Sequence, residues 1–336
     1  MTIPAFWSVD VEPDAFQLSR SDPPTWAGYS ATVEFAERLR SALSAQSGAA
    51  PKFGWYFRTD PQIAEVYGRP DHVFVEFPHH VAQLQARGDY FGVHAHAIRW
   101  SEHRQLWVHD FGDGNWQAHS TRFALDAYAR WAGCPAQRFR SGAGFLSDGI
   151  VDVIDQCGVK VDLTLEPVSG WGLAASDVAA GVDSSPIVGP YTDCHTAPRV
   201  PYRPARHDFR VRARRHGRNV VMVPLSTSRL HREEPSWKRA ARWLLGRPQE
   251  LQVLYPSARW PSGYSYSDLV ERQLRSMRRP YLSLAIRTDE SGSAVAAAAR
   301  RIFHGSRSTA SPNGSVSRIR SRRLPALSSL TDAEGR

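Results

Sequence analysis

Two carboxylates stand two residues apart near the N-terminus, in Ser8-Val9-Asp10-Val11-Glu12. Side chains alternate along an extended chain, so this spacing puts both acids on one side of a strand end. Acids so placed can divide work, one holding a cation and the other accepting a proton; a solvated loop capping the next turn fits the same residues. A second pair, His94 and His96, closes the apolar stretch Phe91-Gly92-Val93 with two polar groups on one face. Neutral imidazole with carboxylate is the ligand set of zinc and related divalent ions. A lone histidine is more often a satisfied core residue, and it is the joint presence of His-x-His and Asp-x-Glu that favours a metal. Arg138-Phe139-Arg140-Ser141-Gly142-Ala143-Gly144-Phe145 is a third element. There Arg140 can hold a carboxylate ionised, and the glycines allow close backbone approach; an ordinary turn with a surface arginine reads the same. Trp100, His103 and Trp107 follow the histidine pair, and the aromatics suit stacking on a sugar ring as well as core packing.

Positioning these groups requires strand ends. AFWSVDV reads as a buried strand that stops before Glu12-Pro13. Residues 30–45 place Val33, Phe35, Ala36, Leu39 and Leu43 at helical spacing, with Ser30 available as a cap. KFGWYFR is the next strand. HHVAQLQAR (helix), DYFGVHAH (strand), STRFALDAYARWAG (helix), RFRSGAGF (strand end), DGIVDVIDQCG (helix) and VKVDLTLEP (strand) continue the rhythm. Strands alternating with helices of this length argue for a mainly parallel sheet, as a barrel or an open doubly wound sheet. In both, chemistry gathers at strand C-terminal ends, where the polar clusters fall. Residues 168–236 are rich in Gly, Pro and Arg with one clear strand, NVVMVPL, and read as an irregular insertion beside the site; the last regular strand is PYLSLAIR.

The chain of 336 residues, 42% hydrophobic with 11 Trp and 14 Phe, can bury one large core. Its three cysteines lack CxxC spacing, against a disulfide framework or a structural zinc site. The N-terminus lacks the basic and apolar regions of a secretory leader, and no apolar run spans a bilayer, so a cytoplasmic location without a membrane span is expected. The formal charge of +9 is unevenly placed. Residues 199–218 carry eight Arg against Asp208 alone, and residues 291–336 carry eight Arg against Asp332 and Glu334. The remainder is mildly acidic, which argues against a uniform nucleic-acid face. The tail, 291–336, is Ser-, Ala- and Arg-rich; only AVAAAARRIF invites a helix, and disorder is expected from about residue 305. One catalytic domain, 1–290, is expected before it.

The order of DVE, GVHAH, RFRSGAGF, VDLTLEP and PYLSLAIR resembles the polysaccharide deacetylases of NodB-homology type, carbohydrate esterase family four, over roughly residues 5–290. That resemblance implies a distorted (β/α) barrel of about seven strands, and a divalent ion, commonly zinc, held by one carboxylate and two histidines. By the same resemblance Asp10 looks like the catalytic base, Glu12 the metal carboxylate, His94 the first metal histidine and Arg140 the residue orienting the base. The family places its second histidine four residues after the first; that position is Ile98 here, so His96 is expected instead, with His103 as the backup. Glu12 replaces the more usual aspartate. The late motif that ends in a general-acid histidine ends here in Arg287, which cannot deliver a proton because its pKa exceeds about 12; electrostatic stabilisation of an oxyanion remains open to it. His195 and Tyr202 in the insertion are the candidate proton donors.

The expected reaction is metal-assisted hydrolysis of an acetamide on a sugar or surface-polysaccharide precursor, such as a nucleotide- or lipid-linked N-acetyl sugar whose phosphates meet the 199–218 arginines. An amidohydrolase acting on a small cyclic amide or ureide, and a carbohydrate-binding protein without turnover, are the alternatives.

Overall fold

The computed structural model describes residues 4–15, 17–168, 186–229, 251–256 and 266–289. Its first half runs β1 (Ala5–Val11), α1 (Ala27–Ser47), β2 (Gly54–Arg58), α2 (Pro61–Tyr67), α3 (His72–Glu76), α4 (Pro78–Ala86) and β3 (Tyr90–Ala95). Then come β4 (Ile98–Ser101), β5 (Leu106–Asp110), α5 (Gly114–Ala132), β6 (Arg138–Ser141), α6 (Asp148–Gln156) and β7 (Val161–Asp162). β8 (Ile187–Val188), β9 (Val221–Met222), β10 (Thr227–Arg229), β11 (Leu251–Val253), α7 (Tyr266–Ser276) and β12 (Leu282–Arg287) complete it.

Alternation along the strands decides the architecture. Val9, Val11, Trp55, Phe57, Val93, Ala95 and Phe139 belong to one buried cluster with Val33 and Leu39 of α1, Leu84 of α4 and Ile150 and Ile154 of α6. Each large side chain withdrawn from water in this way contributes about 1.5–3 kcal/mol. The residues between them, among them Asp10, Tyr56, Arg58, His94 and Arg140, fall on the opposite face by the two-residue period of a strand. Seven strands pair in the order β12-β1-β2-β3-β6-β7-β9, every pair parallel. The two edges meet just beyond β9: the Ser226 amide donates to Ser283 O at 2.8 Å, and the Ser283 amide to Ser226 Oγ at 3.0 Å. The sheet is therefore a distorted (β/α) barrel of seven strands, pulled shut by side-chain-assisted contact in place of a full ladder.

Several expectations shift. α1 starts before Ser30, at Ala27, and its first free amides are held by a distant residue: Asp14 accepts from Ala27 N at 2.7 Å and Gly28 N at 2.8 Å. VKVDLTLEP is regular strand only at Val161–Asp162, after which Leu163 and Leu165 bond Phe139 and Leu225 singly. The insertion holds β8 and β10 besides β9, and parts of it, like the Ser/Ala/Arg-rich tail and its AVAAAARRIF segment, lie outside the described residues. An unforeseen second sheet, β4-β5-β8, folds back from the end of β3 as an antiparallel hairpin with β8 added in parallel. No helix among the described residues is long and apolar enough to cross a membrane.

Candidate metal centre

Register carries the polar residues to one level of the barrel. Arg58 of β2 stands opposite His94 of β3, and His94 opposite Arg140 of β6. Asp10 of β1 stands between Tyr56 on one side and Arg287 of β12 on the other. Glu12 continues β1 by one residue, and its backbone is fixed by Thr288: Glu12 N donates to Thr288 Oγ1 at 2.7 Å, and that hydroxyl donates to Glu12 O at 2.8 Å.

Glu12, His94 and His96, all buried, bring one ligand atom each into a common space. His94 Nε2 lies 3.3 Å from Glu12 Oε1, His96 Nε2 3.3 Å from Glu12 Oε2, and the two Nε2 atoms 3.1 Å apart. Ligands at zinc distances of about 2.0–2.2 Å in tetrahedral array stand about 3.4 Å from one another; each Nε2 is about that far from the other and from its nearer Glu12 oxygen, and the three residues can offer one ligand atom each to a single divalent ion. The tautomer suits it as well. His94 Nδ1 is 2.9 Å from the Arg140 carbonyl, which only accepts, so Nδ1 carries a hydrogen and Nε2 is the nitrogen turned toward Glu12.

His96 is reached by a close backbone approach. A Cβ on Gly142, in the 3-10 turn Gly142–Gly144 after β6, would stand 2.2 Å from His96 Cδ2, so no other residue fits without moving the ring. The His96 amide donates to Asp60 Oδ2 at 3.2 Å and its carbonyl accepts from Ser120 Oγ at 2.7 Å. Burial first, then the nearby Arg58, holds the His96 imidazole well below its ordinary pKa and therefore neutral. Burial would raise the Glu12 carboxyl, but Arg287, His96 and His94 together hold it well below the usual carboxylate range. Glu12 thus presents as a carboxylate beside the neutral His96 imidazole.

Asp10 stands beside this group. Arg140 Nε donates to both of its oxygens, at 2.8 and 2.9 Å, and Asp10 Oδ1 is 3.9 Å from His94 Nδ1. Arg140 is in turn fixed by the Leu163 carbonyl through Nη1 and lies 3.8 Å from Glu166 Oε1, which also accepts from the Tyr255 hydroxyl.

Other expected site residues lie elsewhere or are occupied. His103 is exposed in the β4–β5 turn, outside the ligand group. His195, half exposed, is 2.6 Å from Asp193 through Nδ1. The buried Tyr202 hydroxyl donates to Phe209 O at 2.7 Å, a structural bond within the insertion. Arg287 does reach the centre, with Nη2 3.3 Å from Glu12 Oε1, while Asp289 accepts from its Nε and Nη2 at 3.0 and 2.6 Å. Trp100 packs edge-on against Trp107 with Arg20 over its face at 4.9 Å, in a cleft that contains none of the ligand group.

Sequence reasoning passed over Arg58, Asp60 and His109. Arg58 is buried, donates to Asp60 at 2.7 and 2.9 Å and to Gln62 at 2.7 Å, and lies 3.7 Å from Glu12. Asp60 also caps α2 through Ile63 N. His109 of β5 places its ring centroid 5.3 Å from that of His96, and burial and Arg58 depress its pKa to about 3. The signal for Arg58 and Asp60 was available, since KFGWYFR-Thr-Asp ends a strand as DVE and HAH do.

No protein-family model matches the chain, and no curated protein matches it in sequence. Among solved structures it is similar to a Mycobacterium smegmatis protein described as a "putative polysaccharide deacetylase", at 13% identity over 90% of this chain and 83% of that one, TM-score 0.46. It is also similar to a CE4 family pseudoenzyme from Bacillus anthracis, at 7% identity over 90% of this chain and 62% of that one, TM-score 0.36. A 4-alpha-glucanotransferase from Thermococcus litoralis matches at 10% identity over 91% of this chain and 36% of that one, TM-score 0.40. This chain spans 36% of the glucanotransferase and 62% of the pseudoenzyme.

Proposed function

We propose that the protein is a metal-dependent deacetylase that hydrolyses the amide of an N-acetylated sugar or surface-polysaccharide precursor. The observation that carries this reading is the convergence of Glu12, His94 and His96, one ligand atom each, beside an aspartate clamped by arginine. A divalent ion, zinc by the chemistry of the donors, would polarise the acetamide carbonyl and acidify water there. Asp10, oriented by the Arg140 guanidinium that donates to both of its oxygens, takes the proton of the attacking water. As the C–N bond breaks, Asp10 is also the group placed to return that proton to the leaving nitrogen, because Arg287 cannot donate one and Tyr202 and His195 are engaged elsewhere. Arg287 and the two histidines hold the Glu12 carboxyl low, and Gly142 seats His96.

Binding without turnover is the second reading, favoured by the arginine at the position of the late histidine. The two separate on one experiment: metal analysis of the purified protein together with acetate release from N-acetylated oligosaccharides, with and without a chelator. Stoichiometric zinc with chelator-sensitive acetate release supports the deacetylase. Oligosaccharide binding without acetate in the presence of excess zinc supports the binding protein.

A further inference from the structure

The segment 199–218 forms a small lobe on the flank of the barrel, separate from the metal centre. Tyr202 bridges Met222 of β9, Pro204 bridges Arg212 and Ala205 bridges Gly217. Arg218, with no exposed side chain, locks the lobe to α6 through Asp148 at 2.9 Å and Asp152 at 2.7 Å. The arginines divide into two sets. Arg199 is bound to Thr227 and Gln273, Arg210 to Asp208, and Arg218 to α6. Arg203, Arg206, Arg212, Arg214 and Arg215 are exposed, and among the described residues none has a carboxylate partner. The nearby acids are already taken: Asp208 by Arg210, Asp148 and Asp152 by Arg218, Asp193 by His195. The lobe is therefore a rigid surface whose free charge has one sign.

Its apolar residues are the second observation. Three large hydrophobic side chains are exposed among the described residues, and two of them, Val200 at 38% and Val211 at 43%, lie in this lobe. Arg212 Nη2 donates to Pro201 O at 3.4 Å, which ties the two valine-bearing stretches together. Isolated exposed valines need no explanation, but a pair set among five arginines that have no carboxylate partner among the described residues does. A polyanion such as nucleic acid rewards the arginines and leaves the valines in water. An anionic bilayer rewards both, by charge at the headgroups and by apolar burial just beneath them.

We propose that the lobe formed by residues 199–218 docks the protein onto an anionic phospholipid bilayer, with Arg203, Arg206, Arg212, Arg214 and Arg215 at the headgroups and Val200 and Val211 at the acyl boundary. The inference is independent of the reaction proposed above. The full chain would be sedimented with vesicles of phosphatidylcholine alone and with vesicles in which phosphatidylglycerol replaces about a third of it. Each arginine near an anionic surface strengthens partitioning about fivefold. Arg206→Ser/Arg214→Ser/Arg215→Ser should therefore bind anionic vesicles about 100-fold more weakly, with an unchanged melting temperature. Val200→Ser/Val211→Ser should also weaken binding several-fold but leave the salt dependence intact. Binding should vanish on neutral vesicles and fall steeply with salt. No difference between the two vesicle types overturns the proposal. Full binding by the valine variant, together with equally tight capture of duplex DNA, also overturns it and assigns the lobe to polyanions in general.

Discussion

Arg287 Nη2 lies 3.3 Å from Glu12 Oε1, across the strand pair in which Arg287 stands opposite Asp10. With Arg58 3.7 Å from the other Glu12 oxygen, one carboxylate is held between two guanidinium groups and two imidazoles. Glu12 is the attraction that most raises the Arg287 pKa, and burial and Glu12 together raise that of Asp289. In Arg287→Leu, Glu12 and Asp289 face each other without their shared cation. Glu12 has a depressed folded pKa, so its contribution to stability is present above its unfolded value and lost as pH falls through the folded one. The variant should lose about 2 kcal/mol near neutrality and begin acid unfolding at higher pH. Added zinc should raise its melting temperature more than that of the wild type. Equal zinc shifts in the two proteins would separate Arg287 from the metal centre.

Gly142→Ala tests the seating of His96. The new methyl must displace the ring, so zinc affinity should fall about 10–100-fold, as when a group orienting a ligand is lost. Overpacking should cost about 1–3 kcal/mol. Zinc titration and urea unfolding measure the two effects, and unchanged affinity would show that His96 is not a ligand.

Holding an ion and moving a proton separate in a variant series. Asp10→Asn keeps shape without basicity and should retain zinc while turnover falls about 10²–10⁴-fold. His94→Ala should lose zinc and activity together. Arg140→Ala should fall between these, because it frees Asp10 without touching a ligand. If Asp10→Asn loses zinc while Glu12→Gln keeps it, the two acids have the opposite roles.

Asp162 gives a pH dependence outside the metal centre. Burial raises its carboxyl to about 7, against the hydrogen bonds from the Thr164 amide and hydroxyl. The folded chain then holds a proton that the unfolded chain has released, so this group makes stability fall as pH rises from about 4 to 7. The full effect is roughly 4 kcal/mol at most. Asp162→Asn should flatten the urea-midpoint profile across that window; an unaltered slope would assign it to another group.

Strand positions and the facing of Asp10, Glu12, His94 and His96 were legible because a period of two is a local property, and a strand that buries one face fixes the other. The start of α1 was not, because its amides are held by Asp14, 13 residues upstream of Ala27. Ser30, the local candidate, lies inside the helix. The hairpin that brings His109 beside His96 was missed because Trp100, His103 and Trp107 were weighed singly, while β4 and β5 acquire meaning only by pairing. Arg287 was legible as a residue and not as a neighbour of Glu12, since parallel pairing of β12 with β1 is a long-range fact.

The barrel closes with β1 between β2 and β12, and the Glu12 backbone is bonded to Thr288 across 276 residues of chain. During translation at about 5–20 residues per second, β12 leaves the ribosome roughly 15–55 s after β1. For that interval the nascent chain carries β1 with one unpaired edge and Glu12 without Thr288 or Arg287 to hold it. His94 and His96 are already made, but their carboxylate partner has no fixed place. On the proposed function, metal loading would thus be a late event in biogenesis, after synthesis of the strand that locks Glu12 in place.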